Sequence, residues 1–343
     1  MSIIHILKIL MSIILGTGIT ASSQHWLLAW LGLELNTLTI IPVIAKSHHP
    51  RAMEATTKYF LTQAMASSMI LFAATTNAMY TGQWEIKFMT TPISMFALTL
   101  ALLMKVGSTP FHFWVPEVVQ GTQTEIGLVI LTWQKLAPMA LILTSENNLH
   151  QELLLFSALL SILLGGWGGL NQTQLRKLMA FSSISHVGWM LMTALFAPKV
   201  TMIALLFYIL LSTPMFLSML LTSSKNIKDV GLSWNLSPPV AMMTLVVLMS
   251  LSGMPPLTGF MPKLMILKEL TNHNLLPLAT LAAVLSTLSL YFYLHLSYTT
   301  TMTIPPNTTL LTQKWRFKYA GLKWFSLLAP ITILLLPLLP TLM

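Results

Sequence analysis

The chain has 343 residues, of which 55% are hydrophobic and only 8% charged, and its mean hydropathy is +0.75. Soluble domains carry about 25% charged residues, so a water-soluble enzyme is excluded. The net charge of +9, from 18 basic against 9 acidic residues, is too sparse for a nucleic-acid footprint and reports orientation in a membrane instead. Cysteine is absent, which removes disulfides, thiolate-held clusters and cysteine-ligated zinc. The 24 methionines fill apolar positions where leucine would serve equally.

A hydrocarbon layer about 30 Å thick takes about 20 helical residues. Apolar runs of that length predict eleven spans, near 3–21, 25–45, 55–79, 92–113, 126–144, 151–170, 178–196, 199–221, 238–270, 275–297 and 324–342. Together they use roughly 220 residues, leaving no connection large enough for a soluble domain. The expected fold is all-α, a polytopic transmembrane helix bundle forming one membrane domain.

The first span, Ile3 to Ala21, lacks a short apolar core followed by a small-x-small cleavage site, and no Arg-rich, Ser-rich transit peptide precedes it. The expectation is a retained helix, made in the compartment whose membrane it occupies. The second span carries Glu34 nine or more residues from either end, too deep to snorkel. Lys105 stands near the end of the fourth span in LALLMKVGSTP, and Lys135 is central in the fifth in ILTWQKLAPM. GGWGG at 165–169 lies inside the sixth span with no preceding strand and no following lysine, so it predicts close helix packing and not a phosphate loop.

Residues 107–117 read GSTPFHFWVPE and residues 253–263 read GMPPLTGFMPK. Gly107, Pro110 and Pro116 correspond to Gly253, Pro256 and Pro262 at a constant offset of 146, and each second proline precedes a charged residue, Glu117 or Lys263. Proline removes a backbone donor and clashes with the preceding turn, and a broken helix survives at membrane depth only inside protein or beside a wet cavity. The two interrupted spans are five apart, an odd number, so they run in opposite directions. That spacing predicts two inverted five-helix repeats, 1–144 and 150–297, followed by a basic loop and a C-terminal span at 298–343. Paired interruptions of this kind point to a transport site near the midplane.

Four ionisable residues fall inside these spans: Glu34, Lys105, Lys135 and Lys263. Each costs roughly 2.5–3.5 kcal/mol at a helix centre on insertion scales. One acid cannot neutralise three bases, and a desolvated ammonium releases its proton more readily than a hydrated one, so the set reads as a reversible proton relay, with structural ion pairing as the plainer reading. Lys263 aligns with Glu117 and not with Lys105, whose counterpart is Leu251, and no acid stands near residue 180 to match Glu34. The halves therefore differ. His112, in the first interruption, and His186, in SSISHVG, are relay candidates because imidazole titrates near neutral pH; a hydrogen-bonded structural histidine is the alternative for each. No histidine spacing with an acidic partner predicts a metal site.

Basic residues by side set the orientation. Lys46, Arg51, Lys58, Arg176, Lys177, Lys225, Lys228, Lys314, Arg316, Lys318 and Lys323 fall on the N-terminal side, against Lys87, Lys199 and Lys268 opposite. The N-terminus is expected inside and the C-terminus outside, while Lys8 snorkels.

The segments KVGSTPFHFWVPEVVQG (105–121), TWQKLAP (132–138), WLGLELN (30–36), RKLMAFSSISHVGWM (176–190) and SGMPPLTGFMPKL (252–264) together resemble the antiporter-like, proton-pumping membrane subunits of respiratory complex I, in the form encoded by animal mitochondrial DNA. The resemblance runs over essentially the whole chain and extends more broadly to cation/proton antiporters. It implies a fourteen-helix plan that has lost three N-terminal helices. It also implies a central hydrophilic axis, with Glu34 and Lys105 as coupling acid and base, Lys135 as the connecting lysine and Lys263 as terminal proton donor or acceptor.

No cofactor is expected in this chain; NADH, FMN, iron–sulfur clusters and ubiquinone would belong to other subunits. The expected partners are other complex I membrane subunits, membrane lipids, protons and water, with no nucleic acid. The expected location is the mitochondrial inner membrane, N-terminus in the matrix and C-terminus in the intermembrane space. Two rivals remain: a non-pumping scaffold and a free-standing cation/proton antiporter.

Overall fold

The computed structural model describes residues 3–303 and 322–334. Lys314, Arg316, Lys318 and the end of the expected last span lie outside the described residues. Among those described, every regular element is helical apart from two isolated β-bridges. Among the described residues five helices, against the eleven spans expected, are long and apolar enough to cross a membrane by length and composition: Trp26–Ala45, Pro198–Thr222, Leu276–Met302, Gln151–Leu170 and the composite Thr124–Thr144.

The chain divides into two compact units, residues 1–161 and 162–343. The first contains α1 (Ile3–Ser22), α2 (Trp26–Ala45), α3 (Pro50–Thr81), α4 (Pro92–Val106), α5 (Trp114–Gly121), α6 (Thr124–Leu131), α7 (Leu136–Thr144) and the start of α8 (Gln151–Leu170). In it α1 packs on α2, and α3 on α2, α4 and α5. Alongside its buried apolar residues, α3 turns several polar groups inward and several large apolar ones outward. On α3 the buried positions include Tyr59, Gln63, Ser67 and Asn77, whereas Phe60, Leu61, Met65 and Phe72 are exposed. Apolar groups outside and polar groups inside are what a hydrocarbon solvent demands.

Several boundaries differ from expectation. The fourth span stops at Val106 and not at 113, because Gly107 adopts φ +79 and ends the helix with a left-handed cap. The third span extends over 32 residues, Pro50–Thr81; at 1.5 Å per residue it is longer than the hydrocarbon is thick. The fifth span is interrupted by a 3₁₀ turn at Trp133–Lys135. Pro138 supplies the reason, since it cannot donate to the carbonyl of Gln134 and its ring crowds that carbonyl.

The second unit holds the rest of α8, then α9 (Leu175–Thr193), α10 (Pro198–Thr222), α11 (Ile227–Leu236), α12 (Pro238–Ser252), α13 (Phe260–Asn272), α14 (Leu276–Met302) and α15 (Leu322–Leu334). α11 is a helix where a basic connection was expected. Asp229 starts it, its Oδ2 accepting from the backbone N–H groups of Lys225 at 2.9 Å and Asn226 at 2.8 Å, as in a capping box. GGWGG works on two sides of α8. A Cβ on Gly165 would meet Ser185 N at 2.7 Å on α9, and one on Gly166 would meet Leu288 Cβ at 2.8 Å on α14. Trp167, the next residue, is exposed.

The two units share local features at the sequence offset. α4 and α12 both run 15 residues from a proline to a left-handed glycine, and α5 and α13 both begin seven residues after that glycine. Each unit also ties the loop before its second helix to the loop after its third. Trp26 N donates to Trp84 O (3.1 Å) and Ile86 N to Gln24 O (2.9 Å); in the second unit Leu175 N donates to Lys225 O and Ile227 N to Thr173 O, both at 3.1 Å.

Candidate functional site

The first interruption leaves the C-terminal carbonyls of α4 to be satisfied from outside the helix. Gly107 N and Ser108 N both donate to Leu103 O, and the Trp114 indole reaches back across the break to donate to Met104 O at 3.2 Å. Thr109 Oγ1 pins the break to α8 by donating to Ser157 O at 3.0 Å. Lys105 occupies the last turn of α4, where the negative end of the helix dipole favours a cation. It is 5% exposed, and its Nζ has no hydrogen-bond partner among the described residues.

Lys135, 6% exposed, stands at the end of the 3₁₀ turn. Both lysines line one cavity of about 20 Å³, together with Asn36, Thr37, Tyr59, Gln63 and Gln134. A polar cavity of that size admits about one water. The structure thus brings together Lys105 and Lys135, and adds the polar lining that sequence reasoning missed. Tyr59 and Gln63 lie one turn apart on the buried face of α3, which a helical-face count would have singled out.

Glu34 approaches this cavity without lining it. It is half-buried on α2, and Thr37, one turn on and itself in the cavity wall, makes a long 3.4 Å hydrogen bond to its Oε2. Glu34 makes no ion-pair contact with Lys105. Among the described residues the ion pairs lie elsewhere: Lys58 binds Glu54 at 2.5 Å and Glu117 at 2.6 Å. These three are substantially exposed.

His112 is buried within the break, its ring against Phe113 at 4.2 Å and its Nδ1 without a partner among the described residues. It does not line the lysine cavity.

In the second unit Lys263, 8% exposed, stands in the first turn of α13 and extends back across the break to donate from Nζ to Ser252 O at 2.7 Å. Its ammonium therefore meets the C-terminal end of α12. Lys105 sits at the corresponding end of α4, so a position that mismatches in sequence is served at the same helix terminus from the other side of the break. Lys263 lines a small cavity of about 10 Å³ with His186 and Tyr208, whose rings are 5.5 Å apart. Tyr208, hydrogen-bonded to Ser183, is a further buried polar group not singled out by sequence; a lone tyrosine in an apolar run carries no signal. Among the described residues no group of three or more His, Asp or Glu could hold a metal ion.

Broken helices in an apolar helical bundle, with buried lysines at the broken ends and an acid one turn from their cavity, define an ion-translocating class of helical membrane protein. Residues 23–289 match the family described as NADH:quinone oxidoreductase/Mrp antiporter, TM, and residues 290–343 match the NADH dehydrogenase subunit 2 C-terminus. The chain belongs to this family. It is 51% identical over 334 residues to NADH-ubiquinone oxidoreductase chain 2 of Tetraodon nigroviridis, covering 97% of this chain and 96% of the relative. With the chain of the same description from Salmo salar it shares 52% identity over 337 residues, 98% of this chain and 96% of the relative. Among solved structures it is similar to a chain of respiratory complex I from Thermus thermophilus with bound aureothin, with a TM-score of 0.82 and 27% identity, covering 97% of this chain and 79% of that one. A chain of the Mrp complex from Dietzia sp. has the same fold, with a TM-score of 0.76 at 18% identity over 88% of this chain and 61% of that one.

Proposed function

We propose that the chain translocates protons as a membrane subunit of NADH:ubiquinone oxidoreductase, respiratory complex I, multi-pass in the mitochondrial inner membrane. NADH oxidation and ubiquinone reduction, with their FMN and iron–sulfur cofactors, belong to other subunits; membrane subunits of the same complex are its partners. The single observation that carries the relay is the cavity shared by Lys105 and Lys135. A buried ammonium with no acceptor among the described residues, beside room for a water, can pass a proton without moving a helix.

Glu34 supplies the control. Its carboxylate is held beyond ion-pair distance from Lys105, and at an effective dielectric near 20 a 4 Å pair would be worth about 4 kcal/mol. Approach of Glu34 retains the Lys105 proton, and withdrawal releases it toward the cavity and Lys135. Lys263 is the terminal donor or acceptor, with His186 beside it; His112 is a secondary candidate. Glu34→Gln keeps the shape and removes the charge. It is expected to assemble normally and to lower coupled proton pumping on the order of tenfold or more. Pumping at the wild-type proton-to-electron ratio would remove Glu34 from the relay.

The matched half-helices and loop ties support two inverted five-helix repeats plus one C-terminal span, eleven in all. The lysine and arginine asymmetry supports an N-terminus in the matrix and a C-terminus in the intermembrane space. Tags at the two ends, probed in sealed inner-membrane vesicles of known sidedness, are expected on opposite faces. Finding both on one face would overturn the odd span count. A free-standing antiporter would leave the membrane on mild solubilisation as a small particle, whereas a complex I subunit leaves in a large assembly.

A further inference from the structure

We propose that Gly253 is a positioning residue for the Lys263 ammonium, forming with the Ser252 carbonyl a seat at the broken end of α12; this rests on the relay reading of Lys263. Lys263 Nζ donates to Ser252 O at 2.7 Å. To reach that carbonyl the side chain crosses the next residue, and a Cβ on Gly253 would stand 2.7 Å from Nζ, 2.9 Å from Cε and 3.1 Å from Cδ. Three consecutive atoms of the lysine therefore lie against the bare face of the glycine.

Backbone conformation alone does not account for this contact. Gly82, Gly107 and Gly253 all have positive φ, at +70, +79 and +80. A Cβ on Gly82 would meet nothing within 4 Å, and one on Gly107 would meet Val115 and Trp114. Of the three, Gly253 is the one pressed by an ionisable side chain. The seat holds the cation against the negative end of α12, which Lys105 obtains from the last turn of its own helix. The far end of a lysine is flexible, so an added methyl is relieved by swinging Nζ off the carbonyl. The fold survives that adjustment, but the ammonium moves relative to His186 and Tyr208, which share its cavity.

The test uses the assembled complex carrying Gly253→Ala, Gly253→Asn, Gly82→Ala or Lys263→Met. Asparagine tolerates the left-handed region but still carries a Cβ, so it separates strain from contact. Both Gly253 variants are expected to assemble, to lose coupled turnover on the order of tenfold or more, and to displace its pH profile. Gly82→Ala, strained equally but with open space, is expected to match wild type in both. Recovery of wild-type turnover and pH profile by Gly253→Asn would assign the glycine to backbone strain and overturn the proposal. Normal turnover in both Gly253 variants, with Lys263→Met inactive, would overturn the proposal and leave the relay standing. Normal pumping by Lys263→Met would instead remove Lys263 from the relay and the proposal with it.

Discussion

Lys105→Met in the assembled complex is expected to lower coupled proton pumping by on the order of a hundredfold, the scale of losing a positioned proton-transfer group. Methionine matches the length of the buried stem and removes the titrating nitrogen. It also removes a buried ammonium that lacks an acceptor among the described residues, whose insertion costs roughly 2.5–3.5 kcal/mol. The variant should therefore be at least as heat-stable as wild type while losing function. Lys105→Arg is expected to fail as well, since a guanidinium stays protonated and cannot hand its proton on. A scaffold predicts the opposite order, with Arg rescuing and Met losing assembly. Fully assembled Lys105→Met pumping at the wild-type proton-to-electron ratio would end the relay assignment for this residue.

Gly165→Leu is expected to prevent accumulation of the assembled subunit. Its Cβ would stand 2.7 Å from the backbone nitrogen of Ser185 and 2.9 Å from the carbonyl oxygen of Phe181, and neither atom can yield unless α9 moves as a whole. Overpacking of this kind costs about 1–3 kcal/mol even where side chains can adjust, and here the obstruction is backbone. Because α9 also carries Ser182, Ser183 and His186, any complex that does assemble should have its second-unit polar cluster displaced. Trp167→Ala, two residues along on an exposed position, is expected to leave assembly unchanged. Native-gel yield and the midpoint of thermal disassembly measure both. Wild-type yield and midpoint for Gly165→Leu would refute close α8–α9 packing.

Much of this arrangement is legible before any coordinates. Hydrophobic length points to an all-helical membrane chain because the bilayer sets one scale, although of the eleven expected spans five helices among the described residues meet that length and apolarity. Glycine and proline at a fixed offset locate both interruptions because those residues restrict the backbone locally, whatever surrounds them. Glu34, Lys105, Lys135 and Lys263 stand out because charge within an apolar run is expensive enough to need a reason. Pro138 could have announced the 3₁₀ turn at Lys135 by the same local rule. The Asn226–Asp229 pair likewise marked the start of α11, and its short amphipathic stretch was hidden only by the expectation of a connection.

Which groups meet is a property of the folded chain. The sequence offset pairs Lys263 with Glu117, yet Lys263 bonds the end of α12 while Glu117 binds Lys58 on an exposed surface. A lysine stem is long enough to cross a helix break in either direction, so linear position does not determine where its charge arrives. Glu34 and Lys105 are 71 positions apart and enter one electrostatic environment only because α2, α3 and α4 pack side by side, with Tyr59 and Gln63 presented between them. Composition and local backbone rules determined the helices and where they break; tertiary packing decided which ammonium has an acceptor, which acid stands one turn away from the cavity, and which glycine supports a charge, because those are distances between residues remote along the chain.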